Sequence, residues 1–105
     1  MTVRATLIGA LLLAGTCAAT AQDAKTLQTK ALAATCANCH GTNGRAIEGS
    51  AVPGLAGMPA GYLAEQMKAF KSGARPATVM HQLAKGYSEA QIEQIAAYFA
   101  AQPKN

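Results

Sequence analysis

The sequence predicts an all-α domain, on three observations. Apolar residues recur at helical spacing in several segments, no segment alternates apolar with polar residues, and glycines and prolines are concentrated between residues 41 and 61. The chain has 105 residues and a net charge of +4 at neutral pH. This length indicates a single domain with a small core of its own, so we expect a cofactor or a covalent staple to stabilise it.

The first 21 residues are predicted to be a secretory signal peptide. Arg4 supplies the positive charge, residues 5–14 form a short apolar core, and residues 19–21 have the A-x-A form of a cleavage site. The apolar core is shorter than the roughly 20 residues that span a bilayer, so no membrane span is expected after cleavage. Residues 22–105 would then form one periplasmic domain. Cys17 leaves a lipoprotein alternative open, although Thr16 precedes it where a small Gly, Ala or Ser is usual.

Four helices are predicted within that domain, over residues 23–35, 60–72 and 79–85, and from Ser88 to shortly before Pro103. The apolar faces of the first, second and fourth helices are formed by Leu27, Ala31 and Ala34; by Leu63, Met67 and Phe70; and by Ile92, Ile95, Ala96 and Phe99.

Local sequence signals predict the end of the second helix, the start of the last helix and a long loop. Gly73 is a stop signal for the second helix, and Ser88 with Gln91 forms the pattern of a capping box at the start of the last one. Residues 41–58 are predicted to form an irregular loop without strands. So long a loop in so small a domain indicates a function.

Cys36, Cys39 and His40 form the pattern C-x-x-C-H of covalent haem c attachment. Two thiols about a turn apart can each bond one vinyl group of a porphyrin, and the next residue then supplies an iron ligand. A zinc site and a redox dithiol are the alternatives. A zinc site would be one ligand short, because His81 is the only other Cys or His of the domain. A thioredoxin-like dithiol would need a βαβ pattern, which the sequence does not show.

The second axial ligand of the iron is predicted to be Met80, 40 residues after His40 in a turn-prone segment. Met58 and Met67 are the alternatives, and Met67 is interpreted as core because it lies on an apolar helix face. His81 is the competing ligand next to Met80, and is otherwise expected to be a solvated surface residue. A methionine ligand would raise the reduction potential, and a histidine would lower it.

The segment P-x-L-x-G at residues 53–57 is predicted to support His40. The carbonyl of Pro53 would accept a hydrogen bond from the free ring N–H of His40 and fix its tautomer. Leu55 would pack on the haem. An ordinary loop proline is the alternative interpretation.

In the order of these features, the sequence resembles a class I cytochrome c over residues 22–105. The resemblance implies about four helices around one covalently bound haem, with the first and last helices packed across each other. The Leu27–Ala34 face of the first helix would meet Ile95, Tyr98 and Phe99 of the last.

Residues 67–80 and 83–88 resemble, more narrowly, the single-haem cytochrome subunit of flavocytochrome c sulfide dehydrogenase. That resemblance implies a flavoprotein subunit as the partner from which the haem accepts electrons. A freely diffusing cytochrome c that serves other redox proteins and a haem-based sensor with a displaceable sixth ligand are the alternatives.

The remaining residues offer no catalytic site. The sequence contains no paired carboxylates with a catalytic pattern, no activated nucleophile and no phosphate-binding loop, and its few aromatics do not indicate nucleic-acid binding. The chain is therefore expected to act as an electron-transfer subunit, at most as part of an oxidoreductase complex. Lys68, Lys71, Arg75 and Lys85 are expected near Met80, either steering an acidic partner or serving as solubilising charges.

Overall fold

The computed structural model describes the backbone of residues 16–104 and the side chains of residue 21 and residues 23–104. Within that range the chain forms five α-helices, one 3-10 turn and no β-strand, so the all-α prediction is confirmed. The elements are α1 (Thr16–Ala34), α2 (Ala37–His40), a 3-10 turn (Thr42–Gly44), α3 (Ala60–Ser72), α4 (Met80–Lys85) and α5 (Glu89–Ala100).

The predicted signal peptide lies mostly outside the described residues, since residues 1–15 are not described. Helix α1 begins at Thr16 rather than at the predicted residue 23, and it continues through the predicted cleavage position after Ala21. None of the helices in the described part of the chain is both long and apolar enough to cross a membrane.

The core lies where α3 and α5 pack together and α1 crosses α5. Its buried side chains are Ala33 of α1, Leu63 and Ala64 of α3, and Ile92, Ile95, Ala96 and Phe99 of α5. The apolar face predicted for α5 is therefore confirmed residue by residue. In α3 the prediction holds for Leu63, which is buried, and for Met67, which packs against the same cluster, but Phe70 is half-buried and is not part of that cluster.

The apolar face predicted for α1 is wrong. Leu27 is 68% exposed, and Ala31 and Ala34 are exposed as well. Instead, Ala33 is buried and Leu32 packs against the core. The alanine-rich helix has almost no amphipathic bias of its own, so tertiary contacts decide which side is buried. A small residue at the buried position lets the helix approach its partner closely.

The predicted ends of α3 and α5 are confirmed by their cap geometry. Gly73 follows α3 in the left-handed conformation, with φ of 82°, and its N–H donates to the carbonyl of Phe70. At the start of α5 the N–H of Gln91 donates to Oγ of Ser88, and the N–H of Ser88 donates to Oε1 of Gln91 at 2.9 Å. Each partner therefore satisfies an N–H that the helix start leaves free.

The loop between α2 and α3 is irregular apart from its 3-10 turn, and it is fastened to α5. The N–H of Gly57 donates to the carbonyl of Phe99 at 2.9 Å, and the hydroxyl of Tyr98 donates to Oδ1 of Asn43 at 2.6 Å. These two bonds join both ends of the loop to the last turns of the C-terminal helix. The loop is therefore positioned by the core although it has little core of its own.

Candidate functional site

The C-x-x-C-H motif forms a single tight turn between α1 and the loop. The N–H groups of Cys39 and His40 both donate to the carbonyl of Cys36, at 3.3 and 3.0 Å. The structure therefore brings the three predicted residues of the motif together within one turn. Cys36 is half-buried, Cys39 is exposed, and the two are not joined by a disulfide.

Cys36 lies against the core, whereas Cys39 faces solvent. Burial raises the pKa of the Cys36 thiol, and a contact from the Thr35 hydroxyl lowers it in part. The neutral thiol is therefore favoured at this position. Conversion to a thioether removes the S–H group, so a covalently anchored Cys36 no longer titrates and remains compatible with an apolar environment.

His40 is oriented by the loop. Its Nδ1 lies 2.7 Å from the carbonyl oxygen of Pro53, which is the contact expected from the sequence. Because a carbonyl oxygen can only accept, Nδ1 carries the proton. In a neutral imidazole this leaves the Nε2 lone pair free, and Nε2 is then the nitrogen that could bind a metal.

Gly44 supports the chain that follows Pro53. Its own carbonyl accepts from the N–H groups of Leu55 and Ala56, at 2.7 and 3.1 Å. Gly44 is buried and has φ of 76°, a conformation that glycine adopts without strain. Leu55 itself is half-buried and packs against the core cluster. The segment that orients His40 is therefore fastened on the C-terminal side of Pro53.

The three methionines of the described chain have different surroundings. Met58 and Met67 pack against the core cluster, as an ordinary apolar side chain does. Met80 is half-buried at the first position of α4, and is not among the described side chains that pack on this cluster. This arrangement leaves Met80 as the methionine whose sulfur is not already used in the core.

His81 differs from the solvated surface residue that was expected. It is half-buried, and its Nδ1 is buried without a hydrogen-bond partner among the described residues. Burial of an unpaired ring nitrogen is unfavourable. His81 is therefore the neighbouring side chain that could compete with Met80 for the iron.

Two of the four cationic side chains expected near Met80 form ion pairs with glutamates of α5. Nζ of Lys68 lies 2.5 Å from a carboxylate oxygen of Glu93, and Nζ of Lys71 lies 3.3 Å from one of Glu89. The hydrogen bond to Glu93 is the main cause that raises the pKa of Lys68. These exposed pairs join α3 to α5, so carboxylates of α5 partly neutralise the charges of Lys68 and Lys71.

The chain belongs to the cytochrome c family, whose profile, described as Cytochrome c, matches residues 27–102. The cytochrome subunit of sulfide dehydrogenase from Chlorobaculum tepidum is 41% identical over 68 residues, 65% of this chain and 60% of that protein. The thiosulfate dehydrogenase electron acceptor from Thiomonas intermedia is 43% identical over 68 residues, 65% of this chain and 31% of that protein. Cytochrome c-554(548) from Halomonas halodenitrificans is 39% identical over 71 residues, 65% of this chain and 84% of that protein.

Family membership confirms the class I cytochrome c fold, the covalently bound haem c and a role in electron transfer. The match covers about a third of the thiosulfate dehydrogenase acceptor and 60% of the sulfide dehydrogenase subunit.

The described residues fit a haem on two counts. The motif turn presents two sulfurs and one oriented imidazole, which is the donor set of haem c. The segments that flank His40 and Met80 also carry large exposed apolar side chains. Ile47 is 82% exposed, Val79 52% and Leu83 49%. Apolar side chains of this size would suit the faces of a porphyrin.

Sequence reasoning missed two long-range hydrogen bonds, one just before and one just after the motif. The Tyr87 hydroxyl lies 2.6 Å from Oγ1 of Thr35, the residue before Cys36. Tyr98 holds Asn43, three residues after His40, in a left-handed conformation with φ of 55°. The partners are 52 and 55 residues apart, so no local pattern pairs them. The sequence shows only that both tyrosines are among the few aromatics of the chain.

Proposed function

We propose that the chain is a periplasmic single-haem electron carrier in which Cys36 and Cys39 anchor the haem and His40 and Met80 are its axial ligands. The hydrogen bond of 2.7 Å between Nδ1 of His40 and the carbonyl of Pro53 is the observation that carries the proposal. It fixes the tautomer in which Nε2 is free to bind iron, as a haem-ligating histidine requires.

Haem c, when bound, supplies reversible one-electron exchange at its iron. The residues of the chain set the conditions for that exchange. The carbonyl of Pro53 makes the His40 ring a better donor by accepting its N–H. Leu55, which packs against the core cluster, would supply apolar surface beside the haem, and burial of the haem from water would raise its potential. A thioether from Met80 also favours the reduced state.

The covalent anchors are tested by mass spectrometry and by extraction of the haem under acidic organic conditions. Wild-type protein should retain one haem, and Cys36→Ala and Cys39→Ala should each leave a single attachment. Loss of the haem from wild-type protein on extraction would show that the motif is not an attachment site.

Export is tested by the N-terminus of the purified protein. A mature chain that begins at Gln22 and is found in the periplasmic fraction supports the predicted cleavage after Ala21. A chain that retains Arg4, or carries a lipid on Cys17, contradicts it.

We infer that the electron donor is the flavoprotein subunit of a sulfide dehydrogenase. Support comes from the relative of Chlorobaculum tepidum, whose name is that of a sulfide dehydrogenase cytochrome subunit. The relative of Thiomonas intermedia is named for thiosulfate dehydrogenase at similar identity, so that enzyme is the control donor.

The test mixes the oxidised protein with each donor and its own substrate in a stopped-flow instrument. Reduction by the sulfide-oxidising flavoprotein that exceeds reduction by thiosulfate dehydrogenase, together with co-elution of the two proteins, supports the inference. Equal slow reduction by both donors and separate elution would instead favour the second candidate, a freely diffusing shuttle. Cytochrome c-554(548) favours that candidate, because the match covers 84% of its length and leaves little room for a further domain.

A further inference from the structure

We propose that Tyr87 is a positioning residue for Met80. Its hydroxyl fastens the end of the segment that carries Met80 to the residue that precedes the haem-attachment motif. The inference rests on the proposed ligation of iron by Met80, and it assigns a role to a side chain that belongs neither to the motif nor to the proposed ligand pair.

The hydrogen bond has a defined direction. Oγ1 of Thr35 lies 2.6 Å from the Tyr87 hydroxyl and 2.8 Å from the carbonyl of Leu32. A carbonyl can only accept, and a hydroxyl has one hydrogen, so the Thr35 hydrogen goes to Leu32. The hydroxyl of Tyr87 is therefore the donor to Thr35. The result is a chain of two bonds from Tyr87 through Thr35 into the last turn of α1.

Haem attachment leaves this chain intact. Sγ of Cys36 lies 3.9 Å from Oγ1 of Thr35 and, as a thiol, can donate to that oxygen. As a thioether it carries no hydrogen, so the lone pairs of the oxygen remain available to Tyr87. The bond to Tyr87 is thus the one that the mature, haem-bearing protein keeps.

Tyr87 is held on its other sides as well. Nζ of Lys71 in α3 donates to the carbonyl of Tyr87 at 2.5 Å, and the N–H of Tyr87 donates to the carbonyl of Ala84 at 3.3 Å. The ring packs against the core cluster. The residue just beyond α4 is therefore fixed to α3 through its backbone and to α1 through its hydroxyl.

These contacts hold Met80 between two fixed points. Gly73 ends α3 on one side, Tyr87 closes the segment on the other, and α4 lies between them with Met80 at its first position. On this proposal, Met80 leaves its bound position together with α4, and that movement would also break the Tyr87–Thr35 bond. The bond therefore favours the state in which the methionine stays bound.

Imidazole binding to the oxidised protein measures how readily Met80 is displaced. In Tyr87→Phe the ring still packs and only the hydroxyl is lost. We expect imidazole to bind up to about fivefold more tightly to this variant, which is the worth of one ordinary hydrogen bond of about 1 kcal/mol. Thr35→Val should give the same change, and the double variant should add nothing further, because both remove one bond.

Tyr98→Phe is the matched control, since it also loses one tyrosine hydrogen bond, to Asn43, on the His40 side of the site. It should lower stability toward guanidinium comparably and leave imidazole affinity near the wild-type value. An unchanged affinity in Tyr87→Phe would overturn the proposal, whether or not its stability falls. An equal increase in Tyr98→Phe would overturn it too, because the effect would then be general loosening.

Met80→Ala separates this inference from the proposed function. If imidazole binds much more tightly to Met80→Ala than to wild type, Met80 is the displaced ligand, and a wild-type affinity in Tyr87→Phe then refutes only the positioning role. If imidazole binds equally to Met80→Ala and wild type, the proposed ligand itself is wrong, and the positioning role fails with it.

Discussion

Gly44 gives the sharpest test of how the loop that orients His40 is held. The residue is buried, has φ of 76°, and accepts two backbone hydrogen bonds through its carbonyl. A Cβ added to it would lie 2.8 Å from Cδ1 of Phe99 and 2.9 Å from the backbone nitrogen of Ala56. The nitrogen belongs to the backbone and the Phe99 ring is fully buried, so neither neighbour can give way easily.

Gly49 is the matched control in the same loop. Its φ is 78°, but an added Cβ there meets nothing within 4 Å. Both substitutions place alanine in the left-handed region, at about 1–2 kcal/mol, and both gain about 0.4–1 kcal/mol from a less flexible unfolded chain. Gly49→Ala should thus destabilise by roughly 0–1.6 kcal/mol. Gly44→Ala adds overpacking of about 1–3 kcal/mol, for a total of roughly 1–4.6 kcal/mol.

The assay is guanidinium unfolding of the haem-bearing protein, followed by circular dichroism and by haem absorbance. The difference between the two variants isolates the contact of the loop with Phe99, since the backbone strain is common to both. Equal destabilisation by Gly44→Ala and Gly49→Ala would refute the packing argument. A larger effect of Gly49→Ala would show that the loop is placed differently.

Two further predictions concern the helices that carry the site. Ser88→Ala removes the side-chain cap of α5 and should destabilise the protein by about 1 kcal/mol in the same unfolding assay. Ser88→Asp can still cap the helix and should retain most of the stability. An equal loss of stability in both variants would contradict a capping role for Ser88. Lys68→Met breaks the exposed pair with Glu93 and should lower stability only slightly at low salt, and by less still at high salt. Because the pKa of Lys68 is raised above 10.5, this small contribution should be present in full below pH 10.5 and disappear as the pH rises through the raised value; a difference from wild type that persists there would contradict it.

The elements with strong local signals could be predicted from the sequence. The apolar face of α5 and its capping box are local sequence patterns, and the structure confirms both. The C-x-x-C-H turn and the contact of Pro53 with His40 follow from short-range chemistry in the same way. In each case the residues that decide the structure lie within about a dozen positions of one another in the chain.

The features that could not be predicted from the sequence depend on how the helices pack against one another. The buried side of α1 could not be predicted, because an alanine-rich helix offers similar faces all round and α5 selects one of them. From the sequence alone, Lys68 and Lys71 could be either steering charges or solubilising charges. The structure shows that acidic side chains of α5 lie beside them. The Tyr87–Thr35 bond joins residues 52 positions apart, and no periodicity encodes such a pair.

The central claim, that Met80 completes a site built on Cys36, Cys39 and His40, is tested most directly by the weak near-infrared band that a methionine–iron bond gives the oxidised protein. We expect the band in wild-type protein and in His81→Ala, and its complete loss in Met80→Ala. A wild-type spectrum without the band, or a band that survives in Met80→Ala, would contradict the account.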